Sequence, residues 1–180
     1  MSKAKPTKTP PTAPPATNKT EVRILDGRQF FLLLKTGIAK KIAKQADGSI
    51  GYQVVADPDR SKLYISITSN DGGGYFSKEL VEFGKIERCL KNIAEDVAFP
   101  SKSFRPAFVG KSTCNPGFIS AVLRHLGLIT LAPATETQHV LVGDWGHWQT
   151  NMLTEPGETI EIAILVAAKP QAEGVQEPNT

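Results

Sequence analysis

The first pattern that could do chemistry lies in residues 108–118, FVGKSTCNPGF. Residues 110–113 read Gly-Lys-Ser-Thr, the end of the GxxxxGK[S/T] motif, in which backbone N–H groups of a glycine-rich loop surround a phosphate. That motif also needs a glycine five residues before Gly110, where this chain has Arg105. Pro106 and bulky apolar residues fill the rest of the segment. The sequence therefore does not predict a nucleotide-binding loop of this type.

The same segment could bind an anion in a simpler way. A helix is predicted to begin near Asn115, and a helix N-terminus offers unpaired N–H donors with about half a positive charge. Lys111, Ser112 and Thr113 come just before it, so one phosphate of a nucleic-acid backbone could sit there with Lys111 as its counter-charge. The alternative is that the hydroxyls only cap the helix and that Lys111 is solvated.

Basic and aromatic residues interleave around this segment. No acidic residue lies between Asp96 and Glu136. Bases next to aromatic rings are the composition of a surface that binds single-stranded nucleic acid. The candidate phosphate contacts here are Lys102, Arg105, Lys111, Ser112 and Arg124, with Phe104 as a candidate stacking ring. The alternative is that the phenylalanines anchor a long loop to the core, since this residue is usually buried.

A second basic cluster is KTGIAKKIAK, residues 35–44, in an interval without acids between Asp26 and Asp47. Its candidate phosphate contacts are Lys40, Lys41 and Lys44. On a helix these lysines would share the face opposite Ile38 and Ile42. Such a run is commonly a solvated face, but next to the first cluster it would form a continuous positive track.

The cysteines and histidines show no spacing typical of metal ligands, so neither a metal nor another cofactor is expected. Cys114 precedes a predicted helix N-terminus, which would make its thiol more reactive. His125 is too far along the same helix to serve as its base. A cysteine-dependent enzyme is therefore the functional hypothesis with the least support, and catalysis is not expected.

Two tryptophans lie in GDWGHWQTN, residues 143–151, where glycines and polar residues predict a loop. Trp148 could stack on a nucleic-acid base, or Trp145 and Trp148 could dock in a groove of a partner protein. The alternative is that the rings fold back onto the core.

The bulk composition limits the class of protein. The chain has 180 residues, of which 40% are hydrophobic and 22% charged, enough for one domain with its own core. It has no apolar run of transmembrane length, and its start lacks the apolar segment of a secretory signal. Its two cysteines do not form a disulfide scaffold. A cytoplasmic protein that does not bind membranes is predicted.

Charge and composition divide the chain into three parts. Residues 1–20 are a basic, proline-rich arm with four lysines and no acid, predicted to be disordered or in polyproline II conformation. Residues 21–166 are predicted to form a single α+β domain, with sixteen basic and sixteen acidic residues. Residues 167–180 are predicted to be a disordered tail. The net charge of +3 therefore comes from the ends.

Periodicity in the first half predicts a helix, a hairpin and a second helix. Phe31, Leu34, Ile38 and Ile42 repeat at helical spacing after the N-cap candidate Asp26, although a helix that ends near Lys35 and leads into a strand is the alternative. IGYQVVAD and KLYISITSN predict an antiparallel hairpin. FGKIERCLKNIA predicts the second helix.

The second half adds the clearest helix, NPGFISAVLRHLG, with Asn115 as N-cap and Gly127 at the position after its end. LITLA and HVLVG predict two strands, and TIEIAILVA predicts an edge strand. The order helix, helix, β-hairpin resembles a winged-helix unit in outline. The predicted fold class is therefore α+β, with about three helices and antiparallel hairpins.

These patterns favour a non-catalytic accessory protein that binds nucleic acid, DNA in particular, through its phosphate backbone. The alternative is a protein-interaction module, an inhibitor or assembly factor anchored by the loop Trp145–Trp148. The nucleic-acid hypothesis requires that folding gather the lysines and arginines on one side. If they lie dispersed among carboxylates, the interaction module takes its place.

Overall fold

Two antiparallel sheets and four helices make up the part of the chain that the computed structural model describes, residues 27–42, 47–73, 75–110, 112–133 and 135–164. The helices are α1 Phe83–Leu90, the 3-10 helix η1 Ser101–Ala107, α2 Asn115–His125 and α3 Trp145–Thr154. The strands are β1 Gly27–Lys40, β2 Ser49–Ala56, β3 Leu63–Asn70, β4 Val81–Glu82, β5 Phe99–Pro100, β6 Ile129–Leu131, β7 Gln138–Leu141 and β8 Glu158–Ile164. The predicted α+β class is confirmed. Both predicted tails lie outside the described residues.

The helix predicted from Asp26 is wrong, and so is the alternative helix ending near Lys35, because these residues form the long strand β1. β1 pairs with β2 on one side and with β8 on the other, in a sheet of order β4-β3-β2-β1-β8. A register shift between Leu33 and Lys35 interrupts its alternation. The apolar spacing therefore matched a helical period although the chain is extended: Ile38 is 68% exposed while neighbouring Ala39 is buried.

Gly37 shows why this segment is extended. It lies opposite Tyr52 in the β1–β2 ladder, and a Cβ added at Gly37 would lie 2.5 Å from the ring carbon Cζ of Tyr52. The phenol of this buried tyrosine thus fills the space that any other side chain at position 37 would need. Burial of the Tyr52 ring against β1 outweighs the weak helical preference of the segment.

The β2–β3 hairpin is confirmed, and its turn is tied to α3. The Asp57 carboxylate accepts hydrogen bonds from the Lys62 N–H and the Ser61 hydroxyl, both at 2.8 Å. Arg60 has a φ of 58°, rare for a residue with a side chain. Its guanidinium donates to the carbonyls of Leu153 (2.5 Å) and Glu155 (2.8 Å), which holds the turn against the end of α3.

The predicted helices α1 and α2 are confirmed, although α1 ends at Leu90 instead of continuing to the predicted Ala94, and one cap of α2 differs. Asn115 is the first residue inside α2 rather than its N-cap, and its buried side chain accepts a hydrogen bond from the Ser77 N–H at 3.1 Å. Gly127 follows the end of α2 with a φ of +74°, as its predicted position requires. Buried residues occur on all sides of α2, so this helix is a central element of the fold.

The smaller sheet has the order β5-β7-β6, and the predicted β6–β7 hairpin is confirmed. The tryptophan segment that was predicted to be a loop is instead the start of α3. The Asp144 carboxylate caps this helix by accepting from the His147 N–H at 2.8 Å. Both tryptophans pack on Phe83 of α1, with ring centroids 5.5 Å and 4.9 Å apart, and this packing orders the segment.

The main core lies between one face of the large sheet and the helices. Ile50, Tyr52 and Val54 of β2 belong to this core together with Phe83 and Ile119. The Tyr52 hydroxyl lies 3.0 Å from Nδ1 of His125, and this hydrogen bond holds the end of α2 against the sheet. None of the helices in the described ranges is long and apolar enough to cross a membrane.

Candidate functional sites

The loop before α2 is occupied by a carboxylate of the protein itself. The backbone N–H groups of Val109 and Gly110 donate to the two carboxylate oxygens of Glu79, at 2.9 Å and 3.1 Å. Ser112 donates its hydroxyl to the Tyr75 carbonyl at 3.1 Å. These donors are therefore already paired, and a phosphate approaching them would meet a negative charge. Lys111 lies outside the described residues.

Arg124 faces inward, contrary to the prediction that it contacts phosphates. Its Nε donates to Nδ1 of His139 at 3.1 Å, and its Nη2 donates to the Gln138 carbonyl at 3.4 Å. Burial also lowers the pKa of its guanidinium. Arg124 thus links α2 to β7.

His139 is fully buried, and its proton can be placed from its neighbours. Because a guanidinium only donates, Nδ1 of His139 must be the acceptor and the ring proton lies on Nε2. That Nε2–H donates to the Ser101 hydroxyl at 2.8 Å. Burial, and then the charge of Arg124, lower the pKa of His139 to about 4, so its imidazole is neutral near pH 7.

The hydrogen bond between Ser101 and His139 runs in the wrong direction for nucleophilic catalysis. A nucleophilic serine donates its proton to the imidazole, whereas Ser101 accepts from His139. The contacts Arg124–His139–Ser101 instead join α2, β7 and η1 by hydrogen bonds. Sequence reasoning missed this network because Ser101 and His139 are 38 residues apart and match no motif. The available signal was a histidine inside an apolar strand, which requires a buried polar partner.

The two candidate stacking rings are both packed against other aromatic side chains. Phe104 is completely buried and meets Phe99 edge-on at 5.8 Å. Trp148 is half-buried against Phe83. The alternative raised from sequence, that these rings anchor the core, is the one that the structure supports. Phe104 cannot stack on a base without leaving its place in the fold, and Trp148 already uses its ring to pack on Phe83.

The remaining predicted basic contacts lie on β1, on the segment after it and on η1. Lys40 is exposed at the end of β1, while the Lys41 ammonium donates to the Asp71 carbonyl. Since residues 27–40 are a strand, the predicted helical face shared by these lysines does not exist, and Lys44 lies outside the described residues. Lys102 and Arg105 are exposed on η1. Within the described residues, folding thus turns Arg124 inward and places Lys41 beside the Asp71 turn.

The strand β8 is an open edge of the large sheet. It has seven residues, and its outer side has no partner strand among the described residues. The opposite edge, β4, has only two residues. The edge strands of the small sheet, β5 and β6, have two and three. Short edge strands resist further pairing, so β8, the longest edge strand in the described part of the chain, is suited to accept another strand.

The start of β1 extends this edge as a two-stranded ribbon. Residues 27–31 pair with β8, and the pairing of β1 with β2 begins only at Leu32. Phe30 is 59% exposed on this ribbon. The guanidinium of Arg28 lies 3.4 Å from the Glu161 carboxylate across the two strands. The ribbon therefore presents the exposed Phe30 ring beside the ion pair of Arg28 and Glu161.

A groove lies between the end of α1 and the start of α3. It consists of two adjoining hollows of about 180 Å³ and 450 Å³ that share Leu141 and Trp145. The Trp145 indole N–H donates to the Leu128 carbonyl at 2.9 Å, which fixes the ring. The charged residues of the lining are Glu87, Lys91, Glu95 and Asp144, and its apolar residues include Leu90 and Val142. We call this the α1–α3 groove.

Glu87 is the half-buried acid of the α1–α3 groove. Burial raises the pKa of its carboxyl, and the charge of Arg88 opposes this rise.

Within the described residues no group of His, Cys, Asp and Glu side chains has the geometry of a metal site.

Comparison of the chain with protein-family models, with curated proteins and with solved structures gives no significant match. The function must therefore be inferred from the geometry of the chain itself.

Proposed function

We propose that this protein is a non-catalytic interaction module, an assembly factor or inhibitor, which binds an extended segment of a partner protein along β8. The observation that carries the proposal is the seven-residue open edge, in a fold whose other described edge strands have two or three residues. An added strand would bond to the outer backbone groups of β8, which have no partner strand in the described ranges, and the side chains of the ribbon would select its sequence.

The side chains on this edge suit such a partner. Thr159, Glu161 and Ala163 are exposed, and the edge carries neither lysine nor proline, the residues that commonly block added strands. Phe30 adds exposed apolar area beside them. A partner strand on β8 would lie directly beside these three exposed side chains.

The nucleic-acid hypothesis has weaker geometric support. The second of two packed helices enters the major groove in helix-turn-helix proteins, but most residues of the corresponding helix here, α2, are buried. Of the predicted contacts in the described ranges, Arg124, Phe104 and Trp148 are committed to internal packing. A surface of phosphate contacts would need other residues.

Affinity purification from the native cell, followed by hydrogen exchange of the complex, tests the proposal. We expect a protein partner that survives nuclease treatment and slows amide exchange in residues 158–164. Thr159→Lys with Ala163→Lys should abolish its recovery, since lysines on an edge oppose strand addition. The matched control is Thr36→Lys with Thr130→Lys, which places the same charges on exposed positions of other strands.

Two results would overturn the proposal. One is a partner that protects surfaces other than β8 and binds the edge variant normally. The other is nuclease-sensitive recovery together with oligonucleotide binding that falls steeply with salt and weakens further in Lys111→Glu with Arg105→Glu.

A further inference from the structure

The α1–α3 groove is lined by both apolar and acidic residues. Its apolar lining includes Leu90, Leu141 and the fixed Trp145 ring. The four charged residues of the lining are three acids and one lysine, a net charge of −2. A groove lined by an aromatic ring and carboxylates is suited to a proline-rich segment that also carries basic residues.

This chain contains a segment of that chemistry. Residues 1–20, MSKAKPTKTPPTAPPATNKT, hold four lysines and no acid. Prolines favour the polyproline II conformation, which binds at low entropic cost because it is largely preformed. Lys3, Lys5 and Lys8 lie within or beside the proline repeats. The charge and the shape of the segment therefore complement those of the groove.

The segment can reach the groove from where β1 begins. Twenty residues in polyproline II conformation span about 60 Å, whereas a domain of this size has a radius of gyration of about 14 Å. Attachment to the same chain also supplies an effective concentration on the order of millimolar. Weak contacts are then sufficient for docking.

We propose that the α1–α3 groove is the docking site of the chain's own residues 1–20. The prolines pack on Trp145 and Leu141, and the lysine ammonium groups pair with Glu87 and Glu95. The half-buried Glu87 carboxylate gains most from such a partner, because Arg88 only partly offsets the cost of its burial. This inference is independent of the β8 edge, which lies on a different element.

Zero-length carbodiimide cross-linking of the full-length protein maps the docked segment, since this reagent joins lysine amines to carboxylates in contact. We expect Lys3, Lys5 or Lys8 to be joined to Glu87 or Glu95 in the monomer, with a yield that falls in high salt. Cross-links that favour Glu155 and Glu158, exposed carboxylates outside the groove, would overturn the proposal. So would cross-links confined to covalent dimers.

Limited trypsin digestion supplies a second readout that needs no cross-link. Glu87→Gln with Glu95→Gln removes the charge partners, so docking should weaken by up to about tenfold, the effect of losing two ion pairs at the protein surface. Cleavage after Lys8 should then be faster by up to the same factor. Glu155→Gln with Glu158→Gln is the matched control and should leave the rate unchanged. Equal rates in wild type and both variants contradict docking in this groove.

Discussion

Nε of Arg124 donates to Nδ1 of His139 at 3.1 Å, and this hydrogen bond places the imidazole proton on Nε2, where it meets Ser101. An arginine predicted to bind phosphate therefore stabilises a buried neutral histidine instead. The network connects three elements that are far apart in the sequence.

The first prediction concerns pH. The folded protein holds the pKa of His139 at about 4, below its ordinary value of 6.5, so the unfolded chain binds more protons between these values. Stability should therefore fall as pH drops from about 6.5 to about 4, by up to about 3 kcal/mol. Urea unfolding across this range measures the loss. His139→Gln should flatten the dependence, whereas His147→Gln, a change on the exposed surface, should retain it.

The second prediction concerns Arg124. Arg124→Gln leaves Nδ1 of His139 without its donor in a buried site, which should cost about 1–3 kcal/mol of unfolding free energy. Arg105→Gln, an exposed arginine on η1, should change stability by less than about 0.5 kcal/mol. Chemical denaturation of the two variants checks both values. Equal, small effects would mean that Arg124 does not support the network.

The third prediction separates the observed strand from the predicted helix. Ala at position 37 would stabilise a helix by about 1 kcal/mol, but its Cβ would collide with the Tyr52 ring in the sheet. Gly37→Ala should therefore destabilise the protein by about 1–3 kcal/mol. Gly117→Ala is the matched control, because it lies in α2 with no atom within 4 Å of the added Cβ, and it should be neutral or stabilising. Thermal unfolding of both variants tests the contrast.

The fourth prediction concerns the carboxylate under the 108–113 loop. Glu79→Ala removes the acceptor for the N–H groups of Val109 and Gly110 and should lower stability by about 1–3 kcal/mol. The freed amides should also exchange faster with solvent. Glu155→Ala, an exposed carboxylate elsewhere, should have little effect on either measurement. Unchanged exchange at residues 109 and 110 would contradict the assigned hydrogen bonds.

Local patterns were sufficient to predict the hairpin β2–β3, the helices α1 and α2, and the strands β6, β7 and β8. For each of these elements, the spacing of apolar residues and the turn or capping residues predict the same structure. Asp57 in the hairpin turn and Gly127 after α2 are examples. Charge balance likewise showed that the basic excess lies in the chain ends.

Long-range contacts determined the remainder. The Tyr52 ring over Gly37 makes residues 27–40 a strand, and the Phe83 ring beneath two tryptophans makes a glycine-containing segment a helix. Arg124 lies inward because a histidine 15 residues away needs a donor, and Glu79 pairs with amides about 30 residues away. Such contacts depend on which distant side chains share a buried volume, and burial energies of this kind exceed the few tenths of a kilocalorie per residue by which local preferences differ.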